Sequence, residues 1–171
     1  MSKSNIIVRG RYKKDKNKQK LVGGWCKYSS KEHGADNTTL RTEENSTIEI
    51  EKELGIFDDS EEVEEHFIWD KNGDINKRDI IKDLPKDKSG RMWNLVISFP
   101  PKFAYDNNLI TKYDYYLMSK AIIPRLILDN DMDLTNTKWY SVLHRDTDNP
   151  HLHICIFEDE DRRKKDTLDK D

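Results

Sequence analysis

The sequence predicts an α+β fold in which a central antiparallel sheet carries flanking helices. Residues 139–157 place two strand-like runs on either side of a turn, as in a β-hairpin. Residues 92–99 form an apolar run that is typical of a buried strand, and residues 111–129 have apolar positions at helical spacing. Because strands joined by short turns pair antiparallel, we expect one sheet with helices on its faces.

Length and composition fit a single domain, residues 1–171, of a cytoplasmic protein. A chain of 171 residues can bury a core, while 37% charged residues and a mean hydropathy of -0.95 indicate much exposed surface. The two cysteines, Cys26 and Cys155, lack metal-binding spacing and favour a reducing compartment. Apolar runs of membrane-spanning length and a signal peptide are both missing from the sequence, so we expect no membrane insertion.

Charge is divided unevenly along the chain. The residues from Met1 to Ala35 contain ten Lys or Arg and two acids, whereas those from Thr42 to Glu65 contain eleven acids and one Lys. The first block has the composition of a surface that contacts phosphates. A solvated basic face that is balanced by an acidic one would give the same pattern.

The N-terminal block is predicted to begin with a short strand, Ile6–Val8 followed by Arg9–Tyr12, that leads into a basic turn at residues 13–20. A short helix is expected after the pair Gly23–Gly24, with its end at Gly34.

Residues 36–88 are polar and mostly acidic. They contain too few apolar residues for a core of their own, so we predict an insertion beside the functional site. Within it, residues 43–54 are expected to form a short amphipathic helix and residues 70–74 a turn.

Regular structure returns with the strand Met92–Phe99, which Pro100 ends because proline cannot donate to a strand ladder. The helix at residues 111–129 is expected to bend or break at Pro124. Its predicted buried face consists of Tyr113, Tyr116, Leu117, Ile123 and Ile127. Residues 158–171 form a charged tail that we expect to be exposed.

Three histidines converge on the hairpin. His151 and His153 lie two residues apart in a strand and therefore share a face of the pleat, and His144 ends the preceding strand. Three imidazoles offer nitrogen ligands to a divalent metal ion. Asp146 is near enough to bind the ion or to orient a ring by a hydrogen bond.

The segment HRDTDNPHLH, residues 144–153, resembles the three-histidine motif of the HUH endonucleases, in the form carried by plasmid mobilisation relaxases. Together with the preceding Trp139–Tyr140 strand, it is most similar to the MobL group of relaxases. The resemblance covers residues 1–35 and 91–157. It implies an HUH-endonuclease-like fold, and because such relaxases continue well beyond the histidine strand, we expect a C-terminally truncated domain.

The resemblance implies a DNA relaxase that nicks single-stranded DNA at a plasmid transfer origin for conjugative mobilisation. Tyr28 is the implied catalytic nucleophile, which forms a 5′-phosphotyrosine, and Tyr12 is the second candidate. Asp146 would orient one of the three metal-binding histidines. The family implies Mn²⁺ or Mg²⁺, whereas three imidazoles alone would also suit Zn²⁺ or Ni²⁺.

Basic residues near the N-terminus are the expected contacts to DNA. They are Arg9, Arg11, Lys13, Lys14, Lys27 and Lys31. The implied partners are single-stranded DNA at a transfer origin, accessory relaxosome proteins and a coupling protein.

Three other functions are compatible with the same residues. A rolling-circle replication initiator would use the same chemistry at a replication origin. A truncated DNA-binding remnant would keep the sheet and the basic block without nicking. A histidine-triad nucleotide hydrolase needs a third alternating histidine, and Cys155 stands at that position.

Overall fold

The protein's structure, a computed structural model, describes residues 6–30, 35–36, 40, 67–84, 90–162 and 168. In chain order the elements are β1 (Ile7–Asp15), α1 (Lys18–Ser29), β2 (Trp69–Asp70), β3 (Gly73–Asp74), α2 (Lys77–Asp83), β4 (Gly90–Ser98), α3 (Pro101–Asp106), α4 (Lys112–Asp129), β5 (Thr137–His144) and β6 (His151–Glu158). Across these ranges no helix is both long and apolar enough to cross a membrane.

The described strands form one antiparallel sheet in the order β1-β4-β6-β5-β2-β3, so the predicted α+β class is confirmed. The predicted hairpin is β5 and β6, and β6 lies between β5 and β4. The residues of β6 are almost entirely buried, as expected for a strand that is paired on both sides and covered on both faces. The hairpin therefore occupies the rigid centre of the sheet.

Strand β1 is longer than its sequence predicts. Residues 13–15 continue the strand instead of forming a turn, because all nine residues of β1 pair with β4. Pairing along the whole of β4 outweighs the weak strand preference of lysine. β1 is an edge strand, and exposed Arg and Lys side chains on an edge oppose pairing with another chain.

Helix α1 begins earlier than expected, at Lys18, before the glycine pair. Asn17 caps it, since its side-chain oxygen accepts a hydrogen bond from the backbone N–H of Lys20 at 2.9 Å. The helix ends at Ser29, and Gly34, the predicted end, lies outside the described residues. Packing of the buried face, which includes Val22, Trp25 and Cys26, stabilises the helix despite the two glycines within it.

Lys18 is buried, with 1% of its surface exposed, although it belongs to the basic N-terminal block. Its Nζ donates hydrogen bonds to the carbonyl oxygens of Glu158 at 2.7 Å and Asp159 at 2.6 Å. A Cβ on residue 90 would collide with this side chain, so Gly90 fits the close approach. Lys18 therefore ties α1 to the end of β6 and is withdrawn from any contact with DNA.

We expect Lys18→Met to lower the free energy of unfolding by about 2–3 kcal/mol, because two charge-assisted hydrogen bonds are lost and the carbonyl group of Glu158 stays buried. Urea unfolding followed by circular dichroism measures the difference. The control is Lys20→Met on the exposed side of the same helix. Equal stability of the two variants would contradict the role assigned to Lys18.

Two hydrophobic clusters cover the two faces of the sheet. The first lies beneath α4 and includes Trp93, Leu95, Ile154 and Ile156. The second, which we call the α1 cluster, joins Val22, Trp25 and Cys26 of α1 to residues on the other face, including Met92, Tyr140, Cys155 and Phe157. The histidines lie on the α1 side, because His153 alternates with Ile154 and shares its face with Cys155.

Helix α4 is one continuous helix through Pro124, so the predicted break is absent. Thr111 and Asp114 form a capping box at its start. The predicted buried face is partly wrong, since Tyr113 and Leu117 are exposed. The buried positions are Lys112, Tyr115, Tyr116, Ser119, Ile123 and Ile127. Large apolar residues occur on both sides of this helix, so residue type alone did not show which of them are buried.

Residues 67–84 belong to the segment that we predict to be an acidic insertion. β2 pairs with β5 through Trp69 and Ser141, and β3 extends the same edge beyond a turn at residues 71–72. Lys112 donates to Asp74 at 2.7 Å in a buried ion pair that holds this edge against α4. The helix predicted at residues 43–54 lies outside the described residues.

Candidate functional site

The hairpin brings the three histidines together on one face of the sheet. His144 and His151 are directly paired across β5 and β6, and His153 is next along the same face of β6. The ring centroids lie 4.5 Å apart for His144 and His153, 5.3 Å for His144 and His151, and 5.2 Å for His151 and His153. We call these three residues the histidine cluster.

Backbone carbonyl groups orient two of the rings. The Nε2 of His144 donates to the carbonyl oxygen of Ser29 at 2.7 Å, and the Nδ1 of His151 donates to that of Asn149 at 3.1 Å. Since a carbonyl oxygen can only accept, each of these nitrogens carries the ring proton. The opposite nitrogen of each ring, Nδ1 of His144 and Nε2 of His151, keeps a free lone pair for a ligand.

Burial favours the neutral form of His153 and His144. The pKa of His153 is lowered to about 4, mainly by desolvation and also by the neighbouring His144 and His151, while Asp146 opposes the shift. The pKa of His144 is also lowered, again mainly by desolvation. Neutral imidazoles at pH 7 are the form that binds metal ions.

The cluster fits a bound metal ion. One nitrogen from each ring lies within 4.8 Å of the others. The Nδ1 of His153 is buried and has no hydrogen-bond partner in the described part of the chain, which leaves an unsatisfied nitrogen at the centre of the cluster. Three neutral nitrogen donors are the ligand set that transition-metal ions prefer.

Asp146 lies at the rim of the cluster. Its Oδ1 is 4.0 Å from the Nε2 of His151, beyond hydrogen-bonding distance, and its side chain is 45% exposed. The carbonyl oxygens of Ser29 and Asn149, rather than this carboxylate, make the hydrogen bonds that orient His144 and His151. Asp146 therefore acts on the rings through its charge.

Tyr28 lies against the cluster at the end of α1. Its ring meets that of His153 edge to face, with centroids 6.1 Å apart and an interplanar angle of 69°. The side chain is 58% exposed. Because Ser29 accepts the hydrogen bond from His144, the backbone next to Tyr28 is fixed to the same cluster.

The chain beyond α1 also returns to the histidine strand. Ala35 forms a bridge with His144, and the backbone N–H of Asp36 donates to Leu143 at 2.8 Å. The carboxylate of Asp36 then accepts from the Nε of Arg145 at 2.8 Å. Contacts on both sides of residues 31–34 therefore hold the end of β5 in place.

The predicted DNA contacts on β1 divide between two faces. Side chains alternate along a strand, so Arg9, Arg11 and Lys13 lie on the face of the histidine cluster and Lys14 on the opposite face. All four are exposed. Lys27 is exposed in the last turn of α1, and Lys31 lies outside the described residues.

Two contributors to the site were not found from the sequence. They are the carbonyl groups of Ser29 and Asn149, which every residue type possesses and which therefore leave no signal in a sequence. Only the fold shows that they face histidine rings.

An α+β fold with an antiparallel sheet and three histidines on its central strands is HUH-endonuclease-like in architecture. The model of one family, described as MobL relaxases, matches residues 2–170. The chain therefore belongs to the MobL relaxase family. Comparison with curated proteins and comparison with solved structures each gave no match.

Membership of this family gives the protein a relaxase role in plasmid mobilisation. It also implies a DNA nickase activity and binding to single-stranded DNA at an origin.

Proposed function

We propose that this chain nicks single-stranded DNA at a plasmid transfer origin by transesterification onto Tyr28. The supporting observation is the contact between Tyr28 and His153, which places an exposed phenol beside a cluster of metal-binding nitrogens. A tyrosine nucleophile at this position would lie beside the metal ion that polarises the phosphate.

In the proposed reaction the hydroxyl oxygen of Tyr28 attacks the scissile phosphorus. A bond from the phenol oxygen to phosphorus forms, and the bond from phosphorus to the 3′ oxygen breaks. The phenol proton is transferred in net terms to the leaving oxygen, which becomes a free 3′-hydroxyl group. One phosphoester bond forms for the one that breaks, so the strand can later be rejoined without an external energy source.

His144, His151 and His153 would hold the divalent ion. Such an ion supplies Lewis-acid polarisation of the phosphate oxygens, which offsets the charge that develops there. Mn²⁺ or Mg²⁺ is our first expectation, and Zn²⁺ or Ni²⁺ would fit the three nitrogens. Asp146, whose Oδ1 lies 4.0 Å from the Nε2 of His151, would act on the cluster through its negative charge.

The test uses single-stranded oligonucleotides that tile the transfer region of the plasmid. Each is incubated with the protein and Mn²⁺ and resolved by denaturing electrophoresis, and mass spectrometry then identifies the linked peptide. We expect a covalent adduct on Tyr28 and a released 3′-hydroxyl fragment. Cleavage without an adduct would replace the tyrosine mechanism with attack by water, and intact DNA throughout would contradict nicking.

Accessory relaxosome proteins and a coupling protein are the further partners that we propose. The single-domain organisation, with the acidic residues 36–88 as an insertion, is part of the same proposal.

A further inference from the structure

Strand β4 is partly open on the face that carries the histidine cluster. Asn94, Val96 and Ser98 are half-buried, whereas the residues between them are buried beneath α4 on the other face. Met92, the next residue along the same face, is buried in the α1 cluster. An open trough, with Asn94, Val96 and Ser98 as its floor, therefore runs along β4.

The trough leads directly to the candidate metal site. Val96 pairs with His153, and Ser98 pairs with His151. Adjacent strands in a sheet lie about 4.8 Å apart, so the floor of the trough is one strand from the histidine cluster. A strand of DNA with its scissile phosphate at the cluster can continue along this floor.

Arg9 and Arg11 form the outer edge of the trough. They pair with Val96 and Asn94 respectively and share the face of those residues. Both side chains are exposed, and neither side chain makes a hydrogen bond or an ion pair with another residue in the described ranges. Two residues along a strand span about 6.8 Å, which is on the scale of the separation between successive phosphates in an extended nucleic-acid strand.

Asn94 supplies a polar group at the floor. Its Oδ1 is buried and has no hydrogen-bond partner among the described residues. An unpaired buried acceptor is destabilising, and a donor from a ligand would remove that penalty. Asn94 has an unpaired acceptor, and the neighbouring Arg11 has unpaired side-chain donors. Together they could bind the base and the phosphate of a nucleotide.

We propose that the trough is a nucleotide subsite, in which Arg11 binds a backbone phosphate and Asn94 accepts a hydrogen bond from the base. Each base of single-stranded DNA offers such a donor, from the exocyclic amino group of adenine, cytosine or guanine or from the ring N3–H of thymine. Asn94 is offset from His153 by one strand and two residues, about 8 Å, so the base is the first or second from the nick. The subsite rests on the proposed function and adds a residue that contacts a base.

The test measures binding separately from nicking. The parent protein is Tyr28→Phe, which binds labelled single-stranded DNA without forming an adduct, and affinity is measured by fluorescence anisotropy. The probes are the nick-region oligonucleotide and a set in which each position in turn is abasic. The variants added to the parent are Asn94→Ala, Asn94→Ser, Arg11→Gln and the control Lys120→Gln, which removes an exposed charge on α4, the helix that covers the opposite face of the sheet.

We expect one abasic position beside the nick to weaken binding to the parent by about tenfold. Asn94→Ala and Asn94→Ser should weaken binding to the intact oligonucleotide by a similar factor and show no further loss at that position. Arg11→Gln should reduce the slope of log affinity against log salt by about 1, and Lys120→Gln should leave it unchanged.

Two results would overturn the subsite. One is an abasic penalty that persists in both Asn94 variants, and the other is an equal salt slope in Arg11→Gln and Lys120→Gln. Since these measurements involve no cleavage, the subsite can hold even if Tyr28 forms no adduct. Conversely, adduct formation with unaltered binding in the Asn94 and Arg11 variants would remove the subsite and leave the nicking proposal intact.

Discussion

Tyr28→Phe is expected to lower the rate of covalent adduct formation by at least about a thousandfold, because the substitution removes the attacking oxygen and nothing else. The phenyl ring can keep the edge-to-face contact with His153, which lies 6.1 Å away between centroids. Binding of single-stranded DNA should therefore change by less than a few fold. Denaturing electrophoresis measures the adduct, and anisotropy measures the binding.

The matched control for this experiment is Tyr12→Phe. Tyr12 is the second candidate for the nucleophile, is 44% exposed, and pairs with Trp93 on the face opposite the histidine cluster. A phenol on that face is separated from the cluster by the sheet, so Tyr12→Phe should form the adduct at the parent rate. Loss of the adduct in Tyr12→Phe, with an active Tyr28→Phe, would exchange the two assignments.

The centre of the sheet could be predicted from the sequence because its strands carry their own pattern. In the hairpin Leu152, Ile154 and Ile156 alternate with His151, His153 and Cys155, and the run from Met92 to Phe99 is mostly apolar. The histidine cluster followed from the same alternation, since His151 and His153 occupy one face of any strand that contains both.

The boundaries of β1 and α1 could not be predicted, because they depend on contacts that are distant in sequence. Residues 13–15 are strand because β4 pairs with them, and α1 begins at Lys18 because its side chain reaches the carbonyl groups at the end of β6. The division of the basic residues between two faces depends on these boundaries. A lysine predicted in a turn has no defined face, so Lys14 could not be separated from Lys13.

The placement of Tyr28 shows the same limit. The sequence resemblance selected Tyr28 as the implied nucleophile, but its distance from the histidines depends on where α1 crosses the sheet. That crossing is fixed by Trp25 and Cys26, which pack on the face that carries Tyr140 and Cys155, and by the bond between His144 and Ser29. Substitutions that shift α1 should therefore affect nicking even where they touch no DNA.

The double substitution His151→Ala, His153→Ala is expected to abolish metal binding. Two of the three nitrogens that lie within 4.8 Å of one another are lost, and one imidazole alone holds a divalent ion weakly. We expect more than a hundredfold loss of affinity, larger than the loss seen when only an orienting partner of a ligand is removed. Metal content after dialysis, measured by elemental mass spectrometry, gives the result directly.

Thermal unfolding provides the second measurement, because an ion that binds only the folded protein raises its stability with concentration. The melting temperature of the parent should rise with added Mn²⁺ or Ni²⁺, and that of the double variant should stay constant. Asp146→Asn is the control, since its carboxylate lies 4.0 Å from the Nε2 of His151 and acts through charge; it should keep the rise. If the double variant binds as much metal as the parent, the ion is held elsewhere in the chain, and the contact between Tyr28 and His153 no longer places the nucleophile beside it.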